Sequence, residues 1–207
     1  MAIESNRAGL VALLRELQDA HRESFGSLDG LLVGLQLTHS GRFCKPDDHH
    51  HSSPRIAYHH PLLDAKFKID PHDESIVWTD SELEKLIDDY VAAAHLAHAA
   101  GYQFVDVKAC HGYLLHEFLS ARRRPGRFGG DLTGRSRVLT TIIDRVRDEI
   151  PQLMIGVRIS VFDVPPYTVA GLSEAGLTEA SYKGRPMDYE KLLPYEFGFG
   201  LSQDNPL

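Results

Sequence analysis

Only two cysteines, Cys44 and Cys110, occur in the 207 residues. Their number falls short of a disulfide scaffold and their spacing fits no structural zinc site, so both are expected as free thiols. No apolar run approaches the ~18 residues that a membrane helix requires. The opening MAIESNRAG has no apolar segment like that of a secretory signal. We therefore expect a cytoplasmic protein with no membrane partner. Basic residues are in deficit, 22 Lys plus Arg against 29 Asp plus Glu for a net charge of -7. No uniformly basic surface is left for a nucleic acid backbone, and no nucleic acid partner is expected. His49, His50 and His51 are adjacent, so their side chains diverge, and the Cys/His spacings of zinc sites are missing. We read them as a solvated loop and expect no metal.

What is present is an ordinary globular composition, 43% hydrophobic and 25% charged, enough to bury a core. Leu10, Leu13, Leu14 and Leu17 recur at helical spacing from Asn6 to about Ser24, ahead of Gly26. The apolar run Leu31 to Leu37 is short enough for a strand. Thr79 and Glu82 match a capping box, after which Leu83, Leu86, Ile87, Tyr90 and the alanine-rich Val91 to Ala100 predict a long helix stopping at Gly101. Phe104 to Val107 predicts a second strand, Thr133 to Glu149 a helix, and Met154 to Ile159 a third strand entered through Pro151.

Strand, helix, strand, helix, strand implies parallel strands joined by helical crossovers. A closed eight-stranded (β/α) barrel takes about 250 residues. The expected class is thus α/β, a partial or truncated TIM (β/α) barrel with parallel strands and outer helices over residues 1–160. Residues 40–80 read as a long excursion, either a binding loop or a surface decoration. Residues 161–207 read as an irregular Pro/Gly/Tyr-rich extension with no further strand.

Period-two alternation sets Leu35 and Leu37 opposite Gln36 and Thr38, Val105 and Val107 opposite Asp106 and Lys108, and Val157 and Ile159 opposite Arg158 and Ser160. The aliphatic side should meet helices. Gln36, Lys108 and Arg158 then share the other face near the C-terminal strand ends, where barrel enzymes assemble catalytic groups. Just beyond the second strand, VDVKACHGYLLHEF supplies His111 and Tyr113. His116 and Glu117 read as an ordinary helical surface. Arg122 to Arg127 reads as a charged loop that closes over a ligand, pairs with nearby acids or is solvated.

Four segments together resemble the old yellow enzyme family of flavin-dependent oxidoreductases: Gly34 to Arg42 (GLQLTHSGR), Val105 to Ser120, Arg127 to Arg137, and Gly156 to Ser160 (GVRIS). The resemblance implies an FMN-binding (β/α) barrel that reduces an activated carbon-carbon double bond of an enone-like substrate with NAD(P)H. It implies that Gln36 hydrogen-bonds the flavin pyrimidine edge and that Arg158 stands beside N1 and O2 of the flavin. Lys108 and His111 would occupy the family's pair of donors to the substrate carbonyl, with Lys108 also near the reduced flavin, and Tyr113 would be the proton donor.

Two positions depart from the pattern. Lys108 stands where a histidine is usual, replacing a planar donor with a longer-reaching ammonium. Gly134-Arg135 replaces an Asn-Arg pair. Two other readings stay open at this point: a Schiff-base aldolase with Lys108 as nucleophile, and a non-catalytic scaffold. Three strands leave open edges, which a homo-oligomer would cover.

Overall fold

The computed structural model describes residues 4–160 together with the short segments 167–168 and 185–186. Three parallel strands, β1 (Gly34–Leu37), β2 (Phe104–Ala109) and β3 (Met154–Ile159), form one sheet in the order β1-β2-β3. Gln36 lies in register with Asp106 and Gly156, and Lys108 with Arg158.

Helix α1 (Arg7–Phe25) precedes β1, and α2 (Pro61–Phe67) lies within the excursion. Helix α3 (Asp80–Ala100) joins the excursion to β2. After β2 come α4 (Leu114–Leu119) and α5 (Leu132–Glu149), which leads to β3. Helices α1 and α3 both end at a left-handed glycine, Gly26 and Gly101, which relieves the last carbonyls without a Cβ clash.

Helix α3 begins with the capping box read from the sequence. The Thr79 side chain accepts from the Glu82 N–H, and the Glu82 carboxylate accepts from the Thr79 N–H at 2.9 Å. Its inner side buries Leu83, Leu86, Ile87 and Val91 together with four alanines. The alanines let α3 approach the sheet and α5 closely. Val105 and Val107 on β2 meet Val138, Ile142 and Val146 of α5 in the same core, all fully buried. Each such side chain stabilises the fold by roughly 1.5–3 kcal/mol.

The apolar alternation is only partly covered at the flanks. Val157 is 40% exposed and Ile159 47% exposed, so the helix cover expected for them is incomplete among the described residues. Leu13 and Leu17 of α1 are likewise exposed, and only Leu14 of that helix is buried.

The excursion is not featureless. It holds α2, two 3₁₀ turns (Gly41–Phe43 and Glu74–Ile76) and a parallel bridge of Ile56 with Val77, which ties its middle to its C-terminal end. The extension after Ser160 was expected to carry no strand. The residues described there form a two-residue antiparallel pair, β4 (Tyr167–Thr168) with β5 (Arg185–Pro186), and the rest of that extension lies outside the described residues.

Candidate active site

The sheet face away from the helices carries a polar row. Gln36 Nε2 donates to Asp106 Oδ2 at 2.7 Å, and the Arg158 guanidinium reaches the same oxygen at 3.2 Å. One carboxylate therefore holds the amide of β1 and the guanidinium of β3 on either side of β2. Gly156 of β3, in register with Asp106, adds no side chain to the row. One step further along β2, Lys108 is buried, and its Nζ lies 3.4 Å from the centroid of the Tyr113 ring. A cation over an aromatic face is held by the ring quadrupole.

The turn after β2 explains how Tyr113 comes to lie there. His111 and Gly112 both take left-handed backbone, with φ of 60° and 70°, a conformation costly for a side-chain-bearing residue. The His111 N–H donates to Ser160 Oγ at 3.3 Å, linking the ends of β2 and β3. The reversal puts Tyr113 at the N-cap of α4 while the His111 side chain stays exposed. Gly112 N–H donates to His116 Nδ1 at 2.8 Å, so the neutral imidazole carries its proton on Nε2.

His116 and Glu117 are not surface residues. Both are buried, because the six-residue α4 is enclosed along its whole length. Glu117 meets Arg42, which is 1% exposed: Arg42 Nε donates to Glu117 Oε1 at 2.5 Å. The same guanidinium pairs with Asp64 of α2 and donates to the Tyr58 carbonyl. Asp64 also accepts from the His60 N–H at 3.2 Å and stands 2.8 Å from His59 Nδ1. Burial pushes the Glu117 carboxyl up from its ordinary value, while Arg42 pulls the other way. The excursion is therefore anchored to α4, and hence to Tyr113, through one buried cation.

His39 holds the start of the excursion. Its Nδ1 accepts from the Gly41 N–H at 3.1 Å and its ring stands edge-on to Trp78, 5.3 Å between centroids. Burial, with Arg55 nearby, lowers its pKa to about 4, so it is neutral near pH 7. A cavity of about 760 Å³ opens along the free edge of β1, where Leu35, Gln36, His39, Trp78 and Tyr90 contribute to its lining. It touches the polar row at Gln36, away from Lys108 and Tyr113.

The family model for the NADH:flavin oxidoreductase / NADH oxidase family matches residues 14–178. The chain belongs to that family. An NADH:flavin oxidoreductase of Gibberella zeae is 43% identical over 89 residues, 42% of this chain and 22% of its own length. The 12-oxophytodienoate reductase 1 of Oryza sativa subsp. japonica is 32% identical over 141 residues, 64% of this chain and 36% of its own. A solved structure of a 2-naphthoyl-CoA reductase in complex with 2-naphthoyl-CoA superposes with a TM-score of 0.57 at 24% identity, over 76% of this chain and 24% of its own. The chain thus spans well under half the length of each. The fold is part of a (β/α) barrel.

Within this chain, the structure gathers the residues singled out from sequence into two groups. Gln36 and Arg158 meet through Asp106, and Lys108 meets Tyr113. The His111 imidazole stands at the rim and forms no hydrogen bond among the described residues. Asp106 was legible as an inner-face residue but not as the shared partner of its two neighbours. The signal was its register between Gln36 and the strand of Arg158.

The arginine run pairs with acids, as Arg124 meets Asp80 at 2.7 Å and Arg127 meets Glu84. At the departure from the family's Asn-Arg pair, a Cβ on Gly134 would sit 2.0 Å from the Gly129 carbonyl oxygen, so this backbone excludes an asparagine there. Arg135 still donates to the Leu119 carbonyl at 2.5 Å. Among the described residues no group of three or more His, Cys, Asp or Glu side chains is arranged to hold a metal, and no helix is long and apolar enough to cross a membrane.

Proposed function

We propose that the chain carries the catalytic face of an FMN-dependent oxidoreductase that reduces the activated carbon-carbon double bond of an enone-like carbonyl substrate, with NAD(P)H as reductant. What carries the proposal is the shared inner face of Gln36, Lys108 and Arg158 in a chain of this family. These residues suit a flavin ring edge. The Gln36 amide offers both a donor and an acceptor to a uracil-like edge, and Arg158 and Lys108 bring positive charge to where a reduced ring is anionic. The lack of a side chain at Gly156 leaves that face open to a planar group: a Cβ there would make only ordinary contacts, 3.7 Å to Val105 O and 3.9 Å to Asp106 Oδ1.

FMN, when bound, supplies the redox chemistry that adds a hydride to the substrate's β carbon. The protein's part is electrostatic and protic. Lys108 Nζ and the His111 ring bind the carbonyl oxygen, where negative charge grows, and preorganised donors there lower the barrier. The flexible lysine stem carries Nζ from the Tyr113 ring to that oxygen. Tyr113 Oη then delivers a proton to the α carbon. The likeness to a 12-oxophytodienoate reductase supports a carbonyl-bearing unsaturated substrate, and family membership favours flavin chemistry over a Lys108 Schiff base. We place the protein in the cytoplasm and assign a second copy as cover for β3, whose Met154, Val157 and Ile159 are exposed.

The test is a visible absorption and fluorescence titration of the purified chain with FMN, with retained cofactor measured after gel filtration. Stoichiometric retention with a perturbed flavin spectrum, weakened in Arg158→Met, is expected. Absence of retention at micromolar protein with excess FMN would sink the proposal for this chain.

A further inference from the structure

We infer that the excursion between β1 and α3 builds an aryl-binding wall beside Tyr113, so that the preferred carbonyl substrates carry a flat aromatic ring conjugated to the double bond. The inference rests on the reductase reading above and deepens it. Phe43, in the first turn of the excursion, is 43% exposed. Its ring lies 5.4 Å from that of Tyr113, tilted by 38°, and 4.7 Å from that of Phe67 in α2, nearly edge-on at 80°. A Cβ on Gly112 would meet Phe43 Cε2 at 3.6 Å, so the edge of Phe43 overlies the turn that carries His111. With Lys108 Nζ over Tyr113, the order across the mouth is Phe67, Phe43, Tyr113, Lys108.

The polarity of that row has a direction. One end is two hydrocarbon rings, and the other is an ammonium beside a phenol. A ligand with a carbonyl at one end and a flat apolar ring at the other matches it end to end. Such a ligand would set its carbonyl at Lys108 and Tyr113 while its ring stacks on the free face of Phe43.

One exposed ring alone would mean little. The difference here is its mounting. Arg42, the residue before Phe43, is buried and binds Asp64, three residues before Phe67, and Glu117, four residues after Tyr113. A single guanidinium thus fixes the carriers of all three rings. Phe118 and Phe128 are each 1% exposed, whereas Phe43, mounted beside the buried Arg42, is still 43% exposed. A ring ordered before binding loses little freedom when a ligand stacks on it.

Aromatic pairing adds to simple area burial, so an aryl enone should bind roughly three- to tenfold tighter than its saturated-ring counterpart. The experiment compares trans-4-phenyl-3-buten-2-one with 4-cyclohexyl-3-buten-2-one on the full chain in the presence of FMN, with dissociation constants from ligand-observed NMR. The aryl preference is expected in the native chain, retained in Phe43→Tyr and lost in Phe43→Ala, with thermal unfolding confirming that both variants fold. Equal affinities in the native chain, or a preference that survives Phe43→Ala, overturn the wall. Turnover of 2-cyclohexen-1-one reports on the reductase reading separately. Turnover without an aryl preference overturns the wall alone, and an aryl preference without turnover upholds the wall and sinks the reductase.

Discussion

Replacing Arg42 by methionine keeps most of the side-chain volume and removes the charge, which isolates the electrostatic role of the residue that ties the excursion to α4. In the native chain Arg42 is 1% exposed and satisfies Asp64, Glu117 and the Tyr58 carbonyl. The variant leaves two carboxylates buried without their cation. Removing one partner of a buried ion pair costs about 3–5 kcal/mol. For a domain of this size that is a fall of roughly 6–20 °C in Tm.

The loss should depend on pH with a definite sign. Burial holds the Glu117 carboxyl above its unfolded value, and Arg42 is the chief influence pulling it down. Without Arg42 the folded state binds the Glu117 proton more tightly than the unfolded state does. Stability then falls as pH rises from the unfolded value through the folded one, and is greater below that window. Urea unfolding near pH 5 and near pH 8 should therefore show the smaller deficit at the lower pH. Adding Glu117→Gln to Arg42→Met should recover part of the loss as a coupling of about 0.5–3 kcal/mol. If Arg42→Met loses less than about 1 kcal/mol, as an exposed pair does, or loses no less near pH 5 than near pH 8, the hub does not anchor the excursion.

Gly134→Ala forces a Cβ to within 2.0 Å of the Gly129 carbonyl oxygen, so denaturant unfolding should show a loss of at least ~1–3 kcal/mol from overpacking; a neutral substitution would show that this close approach relaxes freely. The Glu82 carboxyl is held down at about 2, first by the Arg55 side chain and then by the Thr79 N–H and hydroxyl. Its contribution is present above the unfolded carboxylate value and lost as pH falls through the folded one, so Glu82→Gln should flatten the acid limb of the stability profile between about pH 4.5 and 2, and an unchanged limb would deny Glu82 that role.

What was legible in the chain was what repeats locally. Helix α3 could be placed because its capping box, its apolar period and its terminal glycine lie within one continuous segment. The inner and outer faces of the strands followed from alternation, since Gln36, Asp106, Lys108 and Arg158 interrupt runs that are otherwise aliphatic. Helix α4 was misread because six residues are too few for a helical period to reveal which side is covered. His116 and Glu117 looked like a polar surface, yet every residue of α4 is buried. The Arg42 hub joins positions 22 and 75 residues apart. Nothing local at any of the three charges distinguishes a buried partner from a solvated one; only the closure of the excursion onto α4 does. The exposed Val157 and Ile159 show the same limit in reverse, because alternation marks an apolar face without showing what covers it.

Asp106 shows why an inner face of mixed charge suits the proposed chemistry better than a purely cationic one. Arg158 is on the outermost strand of the described sheet, with 56% of its side chain exposed, and an arginine so placed would ordinarily sample many rotamers. The ion pair to Asp106 Oδ2 holds it across the sheet toward β2, and the same oxygen accepts from Gln36 on the opposite side. Two groups proposed for the ring edge thus take their orientation from a third. Lys108 stands one step further along β2, next to Tyr113 and the proposed carbonyl site. In the proposed site, orientation at the flavin edge and positive charge at the substrate thus fall to different residues, so that a lysine in place of histidine at position 108 would change the substrate contact while the Gln36-Asp106-Arg158 row stays the same.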